Sequence, residues 1–177
     1  EVSILGGNAR NGEGRFIVAE ADESDGSFLK LNSYIAVVTN IEDDHLDYYG
    51  TEENIYKAFK QFLGNLVEGG KAILCVDNAK VKALAQEIDK EVITYGLEAA
   101  DYVAKDICYG VDGTTYKLYH KGEFVTEVRL IVPGRHNVLN SVGAFVAARE
   151  MGIADETILK SLEQFGGAKR RFETKGK

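Results

Sequence analysis

Up to residue 95 this chain alternates short apolar runs with helical stretches that bury one face, and after residue 100 the rhythm changes. Phe16-Ile17-Val18-Ala19, Tyr34 to Ile41, Lys71 to Val76 and Val92 to Tyr95 are runs of strand length. Between them, Glu52 to Leu66 places Ile55, Phe59, Phe62, Leu63 and Leu66 on one helical face. Asp77 to Lys90 does the same with Val81, Leu84, Ala85 and Ile88. Such alternation calls for parallel strands joined by crossovers, with helices covering the sheet. Residues 102–109, 114–120 and 124–132 instead alternate apolar with polar, separated by Asp112-Gly113 and Lys121-Gly122, which are hairpin signals. The predicted fold class is α/β: a mainly parallel sheet flanked by helices, with a small antiparallel sheet. A short helical turn is expected around Gly26 to Leu31. A long helix follows from about Asn137 to Met151, stopped by Gly152, and a last one is capped by Asp155 and runs through Phe165.

Two of the apolar runs end in acids. The expected strand at residues 16–20 leads into Glu20-Ala21-Asp22-Glu23-Ser24-Asp25, and the run through Ile41 leads into Glu42-Asp43-Asp44-His45-Leu46-Asp47. In open α/β sheets ligands bind beyond the carboxyl ends of the strands. Hard oxygen donors gathered there suit Mg²⁺, and Mg²⁺ suits phosphate chemistry. A single acidic cluster is as readily a solvated loop. Two neighbouring ones, the second holding a histidine, point to one shared cleft.

Charge and cysteine usage exclude several classes. A net charge of -7 argues against general nucleic-acid binding, which needs a basic footprint. Cys75 and Cys108 lie in no metal-spaced pair, and Cys75 falls inside an apolar run. There is no signal-peptide pattern and no apolar stretch of transmembrane length, so a cytoplasmic location is the default expectation. The first residue is Glu1 and the single methionine is Met151, so the chain reads as a piece of a longer protein. Gly6-Gly7-Asn8 is followed by no Gly-Lys-Ser/Thr, so no phosphate loop of that type is present.

Two later segments carry chemistry. In Pro133-Gly134-Arg135-His136-Asn137-Val138-Leu139-Asn140, Asn137 and Asn140 lie about one helical turn apart. An amide offers a donor and an acceptor, as an adenine edge requires, although capping is the plainer role for Asn137. In Gly166-Gly167-Ala168-Lys169-Arg170-Arg171-Phe172, arginines beside glycines can reach a phosphate, or can form a solvated basic linker.

Taken in order, the acidic segment, the Thr39-Asn40-Ile41-Glu42-Asp43-Asp44-His45-Leu46-Asp47 segment, the histidine–asparagine segment and Lys169-Arg170-Arg171-Phe172 resemble the Mur ligase family of ATP-dependent amide-forming enzymes. The Glu-Ala-Asp-Glu-Ser-Asp form resembles the alanine-adding branch. The resemblance implies a central ATP-binding domain over residues 1–168, and a hinge at 169–177 towards a C-terminal domain. It implies Glu20 and His45 as catalytic Mg²⁺ ligands, His136, Asn137 and Asn140 along the adenine, and Arg171 on the ATP phosphates. The implied cofactors are ATP and Mg²⁺. The implied reaction joins L-alanine to UDP-N-acetylmuramate through an acyl phosphate, in peptidoglycan synthesis. Without the family's phosphate loop and flanking domains, this stretch alone is expected to fold, to bind ATP weakly and to be inactive. The competing readings are a tripeptide-recycling or other Mur-type ligase, and a module that binds without turnover. No membrane or nucleic-acid partner is implied.

Overall fold

Lys71–Cys75 forms the most deeply buried strand of a computed structural model that describes residues 9–111 and 113–167. The strands are β1 (Ile35–Val38), β2 (Lys71–Cys75), β3 (Glu91–Gly96), β4 (Tyr102–Gly110), β5 (Gly113–His120) and β6 (Glu123–Leu130), and they form one sheet in sequence order. The pairs β1–β2, β2–β3 and β3–β4 are parallel; β4–β5 and β5–β6 are antiparallel. The helices are α1 (Leu46–Tyr49), α2 (Glu52–Gly64), α3 (Ala79–Leu84), α4 (Arg135–Glu150) and α5 (Asp155–Glu163). The α/β class, the alternation and the meander all match the sequence reading. The meander is not detached: it continues the parallel sheet through β4.

One core lies under α2 and α3, where Phe62, Leu63, Val81 and Leu84 meet Ala36, Val38, Ala72 and Leu74. A second lies on the opposite face, where Val138, Val142, Phe145 and Val146 of α4 and Ile158 of α5 cover Ile73, Tyr95, Tyr116, Leu118 and Val128. β2 is covered on both faces and so reads as a continuous apolar run, whereas β5 alternates buried and half-buried positions. The β3–β4 junction is short. Parallel strands normally need a crossover of a dozen or more residues, yet only 97–101 connect these two. A register offset makes this possible: Tyr95 and Gly96 pair with Tyr102 and Val103, so the rest of β4 runs on past the end of β3. Asp101 pins the loop, its carboxylate accepting from Thr94 N at 2.8 Å and Thr94 Oγ1 at 2.7 Å.

Local signals explain the element ends. Thr51 Oγ1 caps α2 by accepting from Asn54 N, and Asn78 Oδ1 caps α3 by accepting from Val81 N. Gly152 closes α4 at φ +80°, with Ile153 N bonded to Ala148 O and Gly152 N to Arg149 O, the paired bonds of a Schellman motif. Lys121 and Gly122 both take positive φ, 49° and 87°, as a type I′ hairpin turn needs.

Three expectations need correction. Residues 16–20 form no strand: Ile17 and Val18 are 96% and 86% exposed. A strand exists only where a neighbour completes its ladder, and this run has none among the described residues. The helix expected over 77–90 covers only 79–84. Beyond it, Gln86 N and Glu87 N bond three residues back, to Ala83 O and Leu84 O, tightening the chain into turns. Asp155 is the first residue of α5 rather than its cap, which is Ala154, and its carboxylate pairs with Arg149 at 3.3 Å.

Candidate functional site

The carboxyl ends of β1 and β2 lead into some of the side chains that the sequence singled out, His45 among them, and into several it did not. After β1 the chain turns through Thr39 and Asn40, whose side chains bond to each other at 2.8 Å, and Asn40 Nδ2 reaches Glu42 at 3.1 Å. His45 then adopts φ 57°, ψ 33°, a left-handed conformation that strains a residue with a Cβ. It opens α1: its carbonyl accepts from Tyr48 N and Tyr49 N at 3.0 Å each.

The acidic loop meets this turn from the other side. Tyr49 Oη donates to Glu23 O at 2.5 Å, and His45 Nε2 lies 3.7 Å from Glu23 Oε1. Within the loop, Ser24 N donates to Asp22 and Ser27 N to Asp25, each at 2.9 Å. The bonds from Ser24 and Ser27 hold both carboxyls below the usual range. Gly26, at φ +70°, lets the loop press on Tyr48, where a Cβ would sit 2.7 Å from the phenol oxygen. So the two acidic segments do converge, but through Glu23 and Tyr49. Glu20 is exposed, and the structure records no bond between it and His45.

Across the sheet, α4 begins at Gly134, φ +107°, with the His136 ring folded back over it. Asn137 Nδ2 donates to Pro133 O at 2.6 Å, a bond to a carbonyl one turn back rather than a cap on a free N–H, while Asn140 is exposed one turn on. Arg171 and its basic neighbours lie outside the described residues. Asp77, two residues past β2, was not singled out by the sequence reading. Its carboxylate takes Arg135 Nη2 at 2.5 Å and Leu97 N at 2.9 Å. Lys80 bonds to Asp43 and lies 3.4 Å from Glu52. The signal for Asp77 was present in the sequence, since it is a third acid just past a third strand.

Among the described residues no three His, Cys, Asp or Glu side chains converge as a metal cage. Mg²⁺ needs none, because it keeps several waters and takes only one or two carboxylates beside substrate phosphates. The Glu23 carboxylate, beside His45, fits that requirement. A cavity of about 300 Å³ lined by Arg15, Phe16, Tyr34 and Glu150 lies at the opposite, amino end of the strands, away from this chemistry. No described helix is long and apolar enough to cross a membrane.

Acids and a strained histidine thus lie at the carboxyl edge of the parallel part of an α/β sheet, with a helix start carrying asparagines nearby. The chain belongs to the Mur ligase family: the family's middle domain matches residues 4–148. Among its relatives is the UDP-N-acetylmuramate–L-alanine ligase of Pelotomaculum thermopropionicum, 45% identical over 99% of this chain and 39% of that protein. The chain thus spans about two fifths of the length of that relative. The crystal structure of UDP-N-acetylmuramate-alanine ligase MurC from Thermotoga maritima matches with a TM-score of 0.75 at 25% identity, over 86% of this chain and 34% of that one. MurF ligase from Thermotoga maritima in complex with ADP shares the fold, with a TM-score of 0.64 at 20% identity over 76% of this chain and 31% of that one.

Proposed function

We propose that this chain is the ATP-handling middle segment of a ligase that joins L-alanine to UDP-N-acetylmuramate. The observation that carries the reading is the likeness to the alanine-adding ligase along 99% of the chain. The convergence of Glu23 and His45 at the carboxyl edge of the sheet supports it. ATP transfers its γ-phosphoryl to the lactyl carboxylate, the amine of alanine attacks the acyl phosphate, and phosphate leaves. Phosphoryl transfer asks a protein mainly for positioning and charge stabilisation. In this reading Glu20 and His45 hold Mg²⁺, with Glu23 beside the histidine. When bound, the ion neutralises charge on the phosphates. Tyr49 and the Ser24 and Ser27 amides hold the acidic loop in shape. His136, Asn137 and Asn140 flank the adenine, with one of the two amide N–H donors of Asn137 engaged by Pro133 O. Arg171 reaches the phosphates.

The test uses the complete polypeptide that carries this chain. Phosphate release should require ATP, UDP-N-acetylmuramate and L-alanine together. Glu20→Ala and His45→Ala should each reduce turnover by orders of magnitude with the fold intact by circular dichroism. Near-normal turnover of either variant at low Mg²⁺ would remove that residue from the site. A preference for a tripeptide over L-alanine would move the protein to the recycling branch.

A further inference from the structure

We propose that the turn between β2 and α3 is a positioning bracket for the nucleotide site: Asp77 sets the start of α4 through Arg135, and Lys80 sets the histidine turn through Asp43. The inference rests on the ligase reading above and adds to it residues that need not touch the substrate.

The Asp77 grip is anchored on the carboxylate side. Its side chain is 11% exposed, against 60% for Arg135, and both carboxylate oxygens are engaged, one by Leu97 N and one by Arg135. Exposed ion pairs hold little, but a nearly buried carboxylate is strongly penalised if its partner leaves. Room for it comes from Gly96, where a Cβ would collide with Asp77 Oδ1. Arg135 is the first residue of α4 and directly precedes His136 and Asn137. The pull of Asp77 therefore fixes where the first turn of α4 presents its amides.

The Lys80 grip acts on the other half. Asp43 lies two residues before His45, whose left-handed backbone persists only if its surroundings hold it. Tyr49 holds the turn from the acidic-loop side, and Lys80 holds it from α3. The hydrogen bond to Asp43, with Glu52 behind it, raises the Lys80 ammonium above its ordinary range. Asp77 and Lys80 are three residues apart, and Asn78, capping α3 at 3.1 Å, makes the turn between them rigid. One four-residue turn thereby sets the spacing between the proposed metal-facing and adenine-facing sides.

The test is steady-state kinetics in the complete polypeptide. Asp77→Asn keeps an acceptor for Leu97 N but loses the charge facing Arg135. It should raise KM for ATP roughly tenfold, the size of one lost charged contact, while kcat and KM for L-alanine stay within about twofold. Arg135→Gln should do the same, and the double variant should be no worse than either single one. Lys80→Met should raise the half-saturating Mg²⁺ concentration several-fold and leave KM for ATP unchanged. Additive Asp77 and Arg135 effects, or equal losses in kcat and every KM, would overturn the bracket. If the wild-type polypeptide forms no alanine adduct, the ligase reading fails by itself. Hydrogen exchange then judges the bracket: Arg135→Gln should speed exchange at the Asn137 and Val138 amides, and unchanged exchange there overturns it.

Discussion

Tyr95→Phe should leave this chain as stable as before or more stable, the reverse of what deleting a buried hydroxyl usually does. Tyr95 is fully buried on the α4 face of β3, and its Oη has no nitrogen or oxygen partner, only the neighbouring Cys75 sulfur. The Cys75 thiol faces it, and sulfur is a weak acceptor. Burial pushes the phenol far above its ordinary range, so the group stays neutral. Gly143 opens the space for it, since a Cβ there would lie 2.8 Å from Oη. An unmet buried polar group costs about 1–3 kcal/mol. Removing one oxygen leaves a void on the order of 10 Å³, worth roughly 0.3 kcal/mol at about 24 cal/mol per Å³. The net expectation is a gain of about 1 kcal/mol, or roughly 2–4 °C in Tm for a chain of this size. Tyr116→Phe is the control. Tyr116 Oη shares a buried hydrogen bond of 2.8 Å with Ser141 Oγ, so its loss should destabilise by about 1 kcal/mol. Urea unfolding of the two variants beside the parent chain reads both signs. A Tyr95→Phe variant less stable by 1 kcal/mol or more, on the order of a normal hydrogen bond, would show that the hydroxyl is well partnered and the argument wrong.

Core and surface should separate sharply: Leu74→Ala, at a fully buried position, should destabilise by about 2–5 kcal/mol, while Ile17→Ala, at 96% exposure, should stay within about 0.5 kcal/mol in this chain. Chemical denaturation measures both, and a large Ile17 effect would mean that residues 16–20 are packed after all. Asn78→Ala should cost about 1 kcal/mol through the lost cap on α3, read by the same method. Lys71 bonds Glu150 and Glu91 at 2.8 Å each, and these carboxylates, Glu150 first, raise its pKa above the ordinary 10.5. A raised lysine pKa stabilises fully below the unfolded value, and the effect is lost as pH climbs through the folded one. Glu150→Gln should therefore lower the urea midpoint at neutral pH, and the gap should start to close once the pH passes 10.5.

Much of the fold was legible because burial on two faces, burial on one face and helical amphipathicity leave different periods in a sequence. β2 and β5 show the first two plainly, and α2 the third. Residues 16–20 misled because an apolar, β-branched run specifies a preference for pairing, not a partner. The end of α3 was hidden because Ala85 and Ile88 keep helical spacing while packing from turns. At the site, acids after β1 and in the loop before it were readable from position alone. That Glu23 lies beside His45 was not, since the Tyr49 bond to the Glu23 carbonyl that brings the two segments together spans 26 residues. The position of Asp77 just past a strand was readable, but its pairing with Arg135, and that of Lys80 with Asp43, were not, because the partners are far away in sequence.

The strand order carries a consequence for how the chain is made. Among the described residues every strand pairs only with its neighbours in sequence, from β1 to β6. Each new strand emerging from a ribosome therefore finds its template already laid down, and no early strand waits for a late one to be inserted beside it. Folding speed falls as contacts become more distant along the chain, and here the sheet adds little such distance. α4 is the exception, since it reaches back from the end of the meander to pack on β1, β2 and β3. Until it arrives, the face holding Ile73 and Tyr95 is bare. The arrival of residues 135–150 is therefore what covers that face.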